Sequence, residues 1–269
     1  MLVFLKLGGS LITDKNRPRT PNLDVIHRLA GEIAQAIQQN PRIQLVLGHG
    51  SGSFGHIPAR QYGTRAGVHT KQEWLGFVDV WRQARDLNQI VLDSLSAKGL
   101  PVIAFPPSAT IQADDGRLQS WNLAPLRSAL AAGLIPVVNG DTVFDTTRGG
   151  TIFSTEDVFV ALSQTLPPDL VLLCGLEPGV WADFPTCTRK IDWITPASAP
   201  SIQASLSGSQ AIDSTGGMLE KVRLMLDLVA RMPGLKAVIF SGAIPGHLYR
   251  NLTNDFTGTL ISDQKDIPV

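Results

Sequence analysis

The chain has 269 residues, of which 43% are hydrophobic and 17% are charged, and its 23 basic and 23 acidic side chains give a formal net charge of zero. This composition excludes a disordered protein, and the balanced charge excludes a whole-molecule field that would attract nucleic acid or an anionic membrane. No stretch reaches the roughly 18 to 20 apolar residues of a membrane span. Cys174 and Cys187 have neither metal-ligand spacing nor the density of a disulfide scaffold, so we expect a soluble protein of the reducing cytoplasm.

Apolar runs alternate with helical patterns along the chain, which is typical of a mostly parallel sheet covered by helices on both faces. The predicted strands lie at 2–7, 44–47, 101–105, 135–138, 170–173 and 236–240. The predicted helices lie at 23–37, 74–98, 123–132, 157–166 and 217–231. Residues 142–154 are predicted to form a hairpin that adds an antiparallel pair to the main sheet, because Arg148, Gly149 and Gly150 supply a turn. Residues 183–213 are expected to be the least regular part.

Five short segments combine glycines with charged or hydroxyl side chains. In open α/β sheets, ligands bind beyond the carboxyl ends of the strands, and this is where the glycine-rich segments are expected to lie. The segments are KLGGSLITDK at 6–15, GHGSGSFGH at 48–56, NGD at 139–141, STED at 154–157 and DSTGGMLEK at 213–221.

The first segment has the residues of a phosphate-binding turn. Gly8 and Gly9 let the main chain approach an anion closely, while Lys6 and Lys15 add positive charge. A plain strand-to-helix turn with two solvated lysines explains the same residues, and for this segment alone it is the better explanation.

The second segment is bare enough to cradle an anion. Gly48, Gly50, Gly52 and Gly55 remove side-chain bulk, so that several N–H groups can converge on a compact anion. His56 could donate a charge-assisted hydrogen bond to the same anion. The alternative is a flexible surface loop whose histidine bonds a backbone carbonyl.

The remaining three segments each allow two interpretations. Asp141 could orient a lysine or bind magnesium, or it could belong to an Asn-Gly turn. Asp157 could hold lysine ammonium groups, or it could be only a first-turn acid in a helix that Ser154 caps. Gly217 opens a helix whose N-terminus favours phosphate, with Lys221 one turn further on, or both residues are incidental.

The order of these segments resembles the amino acid kinase superfamily over almost the whole chain. The resemblance rests on KxGGS at the N-terminus, a glycine-rich second loop, GD after a central strand, an acidic helix start and a late TGGMxxK. The stretch GHGSGSFGH, with its final histidine, is more narrowly similar to the isopentenyl phosphate kinase family. The resemblance implies a three-layer αβα sandwich with a mostly parallel central sheet. It also implies a single domain with an acceptor-binding half at about 1–150 and a nucleotide-binding half at about 151–269.

The resemblance further implies a role for each matching residue. The residues that would hold the ATP phosphates are Lys6, Gly8, Gly9, Ser10, Gly217 and Lys221, with Ser51 between the two ligands. The residues that would bind the acceptor are Gly50, Gly55, His56, Gly140 and Asp141. Lys15 would stabilise the transferring phosphoryl group, and Asp157 would organise the active-site lysines. The expected catalytic residues are therefore Lys6, Lys15, His56, Asp157 and Lys221.

The activity that the resemblance implies is ATP-dependent phosphorylation of isopentenyl phosphate to isopentenyl diphosphate, with Mg²⁺ and in a homodimer. No ligands of the metal are assigned. Two alternatives stay open: a kinase for another small phosphate or a fosfomycin-like phosphonate, and a non-catalytic protein that binds nucleotides or oxyanions.

Two features bear on specificity. The helix that carries Trp74, Phe77, Val78 and Trp81 follows the second segment and could supply an apolar wall for a short hydrocarbon, although at least half of such a stripe is expected to be core. The chain reads CGLEPG at 174–179, where family members commonly carry a TDVDG-like stretch. We therefore expect its adenosine contacts to differ from those of the family.

Overall fold

The computed structural model describes residues 1–198 and 217–264. In chain order the strands are β1 Leu2–Leu7, β2 Gln44–His49, β3 Val102–Ala104, β4 Ile111–Asp114, β5 Arg117–Trp121, β6 Ile135–Asn139, β7 Asp141–Asp145, β8 Gly149–Phe153, β9 Leu170–Gly175, β10 Val180–Trp181, β11 Lys190–Ile191, β12 Trp193–Ile194, β13 Lys236–Ser241 and β14 Thr259–Ile261. The helices are α1 Gly9–Ile12, α2 Leu23–Gln39, α3 Gly52–Tyr62, α4 Lys71–Ser96, α5 Pro107–Thr110, α6 Ala124–Ala131, α7 Thr155–Ser163, α8 Gly217–Arg231 and α9 His247–Leu252, with a 3₁₀ turn at Pro196–Ser198.

The main sheet has eight strands in the order β12-β14-β13-β9-β1-β2-β6-β3. The six strands from β13 to β3 are parallel to one another, and β14 runs antiparallel to β13 at one side. The sequence-based prediction of a mostly parallel sheet is therefore confirmed. All six predicted strands are present, within a few residues of the predicted bounds.

Helices cover both faces of this sheet. Successive side chains of a strand point to opposite faces, so Phe4 of β1 packs on one side while Val3 and Leu5 pack on the other. The side of Phe4 is covered by α6, α7 and α8, and the other side is covered by α2, α4 and α9. The three-layer αβα sandwich is confirmed.

The predicted hairpin forms, but it does not extend the main sheet. Strands β7 and β8 pair antiparallel, as expected. Both belong to a separate four-stranded sheet in the order β5-β4-β7-β8, because a second hairpin, β4–β5, supplies the edge that β7 pairs with. That second hairpin turns at Asp115 and Gly116, whose φ angles are 47° and 75°. An Asp-Gly pair is a strong turn signal, so the sequence contained the information needed to find it.

Two helices, α7 and α4, start earlier than predicted because of their caps. Ser154 caps α7, which begins at Thr155 rather than at residue 157. Thr70 and Glu73 form a capping box, so α4 begins at Lys71 rather than at Trp74.

Of the segment expected to be irregular, 183–198 holds only short strands and one 3₁₀ turn, and 199–213 lies outside the described residues. None of the helices in the described part of the chain is long and apolar enough to span a membrane.

Candidate active site

A cavity of about 670 Å³ lies beyond the carboxyl ends of β1, β2, β6 and β9. Thirteen of the fourteen residues that the sequence nominates line it, although they come from opposite ends of the chain. They are Lys6, Gly8, Gly9, Ser10, Lys15, Gly50, Ser51, Gly55, His56, Gly140, Asp141, Gly217 and Lys221. The exception is Asp157.

A buried ion pair between Lys6 and Glu156 lines the cavity. Lys6, near the end of β1, donates a hydrogen bond from Nζ to Oε1 of Glu156, and both side chains are buried. Burial alone would raise the pKa of Glu156, but the positive charges of Lys6 and Lys221 outweigh it and hold that pKa below its usual value. Glu156 is therefore an ionised carboxylate, which pairs with Lys6 and lies within the electrostatic influence of Lys221 on α8.

The carboxylate that pairs with Lys6 is thus Glu156, whereas Asp157, for which that role was predicted, does not line the cavity. Asp157 is the third residue of α7, and its Oδ2 accepts hydrogen bonds from the backbone N–H and the hydroxyl of Ser154, at 2.9 and 2.8 Å. The same oxygen lies 3.2 Å from a guanidinium nitrogen of Arg65. Capping therefore turns Asp157 away from the lysines, and the neighbouring position faces the cavity.

The first two glycine segments pack directly on each other. A Cβ atom on Gly9 would lie 2.5 Å from the backbone nitrogen of Gly52, and one on Gly50 would lie 2.9 Å from the backbone nitrogen of Gly9. Gly8 also donates its N–H to the carbonyl of Cys174, at 2.7 Å. The glycines at positions 9 and 50 are thus required for the close approach of two loops that line one cavity.

The two histidines of GHGSGSFGH have different environments. His49 is fully buried and its Nε2 lies 2.9 Å from Oδ1 of Asn88, so it belongs to the protein interior. Burial lowers the pKa of His49, and the charge of Lys6 lowers it further. His56 lies on α3 and lines the cavity, as predicted.

Asp141 is buried at the start of β7. Its carboxylate accepts hydrogen bonds from the backbone N–H groups of Ser108, at 3.1 Å, and Thr142, at 2.9 Å. Burial nevertheless raises its pKa to about 6, because the hydrogen bonds from Ser108 and Thr142 only partly offset the loss of hydration. This carboxyl group therefore changes its charge at about pH 6.

Helix α4 contributes apolar side chains to the cavity, but they are not the ones that the sequence suggested for an apolar wall. Val80 and Ala84, four residues apart on one face of the helix, line the cavity. Phe77 is buried against Trp74 and Phe144 instead. The guanidinium of Arg85 lies over the ring of Trp81, with its Cζ atom 5.2 Å from the ring centroid.

The side of the cavity near β9 is also partly apolar. It is lined there by Leu176, Trp181, Phe184 and Met218. The indole N–H of Trp181 donates to Oε2 of Glu177, at 2.8 Å. Leu176 of the CGLEPG segment therefore lines the cavity together with aromatic side chains that follow the segment in the chain.

Among residues 1–198 and 217–264, no group of three or more His, Cys, Asp and Glu side chains could hold a metal ion.

Comparison with known proteins agrees with this architecture. The family model described as the amino acid kinase family matches residues 1–241. The isopentenyl phosphate kinase of Methanocaldococcus jannaschii is 32% identical over 97% of this chain and 98% of its own, and that of Haloferax volcanii is 35% identical over 93% and 98%. A solved structure described as an isopentenyl phosphate kinase superposes with a TM-score of 0.82 at 30% identity, covering 97% of this chain and all of the other. With its fold, its cavity and its relatives in agreement, the chain belongs to the amino acid kinase family.

Proposed function

We propose that this protein catalyses the ATP-dependent phosphorylation of isopentenyl phosphate to isopentenyl diphosphate. The observation that carries the proposal is that a single cavity is lined by Lys6, Lys15, His56 and Lys221 together with the glycine segments. Relatives that are named isopentenyl phosphate kinases match nearly their whole length to this chain, which supports the same acceptor.

The chemistry needs positive charge more than it needs a base. The second pKa of a phosphate monoester is near 6, so at neutral pH the acceptor oxygen is already an anionic nucleophile. The obstacle is the repulsion between two polyanions that must meet in line, and phosphoryl transfer is catalysed mainly by positioning and electrostatic stabilisation. Ammonium, imidazole and backbone N–H groups are the donors that this obstacle requires.

We assign roles within the cavity accordingly. Lys6 and Lys221 hold the ATP phosphates, and Glu156 fixes the position of Lys6. Lys15 neutralises charge on the phosphoryl group as it moves. His56 donates to the acceptor phosphate beside Gly55.

The residues of the main loops complete the two phosphate sites. The ATP phosphates are held by the backbone of Gly8, Gly9, Ser10 and Gly217, and Ser51 lies between the ligands. The acceptor phosphate is bound with the help of Gly50, Gly140 and Asp141. We further propose that the acceptor occupies the N-terminal half, at about 1–150, and the nucleotide the C-terminal half, at about 151–269.

Within the described ranges, the side chains do not fit a magnesium ion held by the protein alone. The described residues provide no cluster of three or more metal-ligating side chains, and Glu156 is already paired with Lys6. Magnesium in kinases is commonly bound by substrate phosphates with one or two carboxylates. A magnesium ion would therefore arrive with ATP, and we assign it no step.

We also propose a homodimer located in the cytoplasm. Both cysteines are free thiols, which agrees with a reducing compartment.

The surface proposed for the dimer is an exposed apolar patch formed by Leu75, Val78 and Phe144. It lies next to Trp74, whose ring centroid is 6.0 Å from that of Phe144. Exposed apolar patches of this kind mark association surfaces, and a second copy of the chain is the proposed partner. Light scattering after gel filtration should give twice the mass of the chain, and Leu75→Glu with Val78→Glu should give a monomer. A monomeric wild-type protein would contradict this.

A coupled assay of ADP release tests the activity. Isopentenyl phosphate should give the highest kcat/KM in a panel of small monophosphates that also includes fosfomycin, with Lys6→Ala as the control for contaminating kinases. Faster turnover of another acceptor would identify a different kinase of the same family. Binding of ATP without consumption by any acceptor would indicate a storage or binding protein.

A further inference from the structure

Ser53 is the serine of GHGSGSFGH that does not face the ligands. It is the second residue of α3 and is only 3% exposed. It is not among the residues that line the cavity, whereas Ser51 and His56 on either side of it are. A buried hydroxyl at this position requires a partner within the protein.

Every polar group of Ser53 contacts the segment that carries Lys15. Its backbone N–H donates to the hydroxyl oxygen of Thr13, at 3.0 Å. Its own hydroxyl oxygen accepts from the backbone N–H of Thr20, at 3.3 Å, and its carbonyl accepts from the backbone N–H of Arg19, at 3.3 Å. We call residues 13–21 the Lys15 loop.

The Lys15 loop is closed on itself and tied down at one further point. Thr13 and Pro21 form an isolated bridge, and the N–H of Asp14 donates to the carbonyl of Thr20, at 2.9 Å. The guanidinium of Arg19 reaches Oδ2 of Asp86 on α4, at 2.8 Å. The loop is therefore seated on the start of α3, with a side-chain tie to the helix that forms the apolar wall.

We propose that Ser53 is a positioning residue, which seats the Lys15 loop on the first turn of α3 and so fixes Lys15 relative to the acceptor phosphate at His56. This inference rests on the proposed kinase function. Ser53 lies three residues before His56 on the same helix, α3. The first turn of this helix therefore sets the position of the Lys15 loop and the position of His56 together. Small displacements of a group that acts on the transferring phosphoryl are costly, because in-line geometry is demanding.

The test is Ser53→Ala, which removes the hydroxyl acceptor for Thr20 and leaves the two backbone contacts. The loss of one hydrogen bond should lower kcat by about two- to tenfold, with the KM for ATP unchanged. The matched control is Ser94→Ala, since Ser94 is 4% exposed and its hydroxyl donates to the carbonyl of Ile90, at 2.8 Å, within α4 rather than to the Lys15 loop. The two variants should have similar melting temperatures, and the control should keep wild-type kcat.

A double variant separates positioning from general destabilisation. In a Lys15→Ala background, Ser53→Ala should change kcat by less than twofold, because the group that it positions is gone. Lys15→Gln, which removes the charge but keeps a hydrogen-bond donor, replaces Lys15→Ala if turnover of the latter is too slow to measure. Arg19→Ala provides an independent second variant that leaves α3 intact, and it should show the same dependence on Lys15.

The outcomes distinguish this inference from the proposed function. Absence of isopentenyl phosphate turnover by the wild-type protein overturns the function itself. An active wild type whose Ser53→Ala variant keeps full kcat overturns the inference. So does a further loss of kcat, equal to that in the wild-type background, when Ser53→Ala is added to Lys15→Ala.

Discussion

Two adjacent carboxylates at the start of α7, Glu156 and Asp157, do different work because the helix points them in different directions. Glu156 pairs with Lys6 inside the cavity, and Asp157 caps the helix through Ser154. Glu156→Gln should therefore lower kcat by about a hundredfold, because Lys6 loses the partner that positions it. It should also destabilise the fold by about 3 kcal/mol, since a buried lysine is left without its counter-ion.

The control for that prediction is Asp157→Asn. It weakens a helix cap, which should cost about 1 kcal/mol of unfolding free energy, and it should keep kcat within about threefold of the wild type. Steady-state kinetics together with urea unfolding of both variants checks the assignment. A larger loss of kcat in Asp157→Asn than in Glu156→Gln would restore the role first predicted for Asp157.

The pKa of Asp141 makes a second prediction, about stability and pH. The pKa is raised from 3.8 to about 6 in the folded state, so between these values the folded protein binds the proton more tightly than the unfolded chain does. Stability that depends on this group is present below pH 4 and is lost as the pH rises through 6. Relative to Asp141→Asn, the wild type should lose about 2 to 3 kcal/mol of unfolding free energy between pH 4 and pH 7.5. Urea unfolding of both proteins at each pH measures this, and a difference that does not vary with pH would show that the carboxyl is not perturbed.

At this scale the sequence predicted which segments line the cavity, but it did not predict that Glu156, rather than Asp157, faces it. Ser154 and Asp157 have the spacing of a capping box, and applying that rule strictly would have left Glu156 as the residue available to the lysines. Burial could not be predicted in the same way. The perturbed pKa of Asp141 arises because β7 places it under the N–H groups of Ser108 and Thr142, and that contact depends on the tertiary fold.

At the scale of elements, α4 shows why a predicted helix does not by itself identify a binding surface. The spacing of its apolar residues predicted the helix correctly. The prediction of which residues face the ligand favoured the large side chains, Phe77 and Trp81 among them. The helix is rotated so that Val80 and the small Ala84 face the cavity. The smaller residues are where a ligand has room, and a pattern of hydrophobicity alone gives them little weight.

The rotation of α4 yields a prediction about acceptor size. Ala84→Leu adds three carbon atoms to the wall, so it should raise the KM for isopentenyl phosphate at least tenfold and leave the KM for ATP unchanged. Val80→Ala removes carbon atoms from the same wall, and it should raise kcat/KM for a ten-carbon prenyl phosphate relative to the five-carbon one. Initial rates with both acceptors over a range of ATP concentrations measure these changes.

Phe77→Ala provides the comparison, because it tests the side chain that was first proposed for the wall. It should destabilise the fold by about 3 to 5 kcal/mol, as is usual for a buried phenylalanine, without changing the preference for chain length. A shift of that preference in Phe77→Ala, with none in Val80→Ala, would show that the wall has been assigned to the wrong face of α4.

At the scale of the whole molecule, the strand order creates the site. β1 lies between β2 and β9, so the turn at Gly8 and Gly9 is next to Gly50 on one side and Gly175 on the other. The alternation of strands and helices predicts the class of fold, but a single sequence does not specify which strands become neighbours. The prediction that Lys6 and Lys221 lie in one site came from the resemblance to a known family, and not from the spacing of the residues.

This arrangement predicts how the two ligands are divided across the sheet. The segment after β9 and the start of α8 line one end of the cavity, and the start of α3 and the segment before β7 line the other. A non-hydrolysable ATP analogue should therefore slow hydrogen exchange mainly in peptides that cover 174–181 and 217–221. Isopentenyl phosphate should protect mainly 50–56 and 140–145, and either ligand should protect 8–10, which lie between the two ends. Mass spectrometry of peptides after exchange, with each ligand alone and with inorganic sulfate as the control for non-specific anion binding, distinguishes these patterns. Protection of 50–56 by the ATP analogue and of 174–181 by the acceptor would reverse the proposed halves, because each ligand can slow exchange only where it orders or covers the backbone.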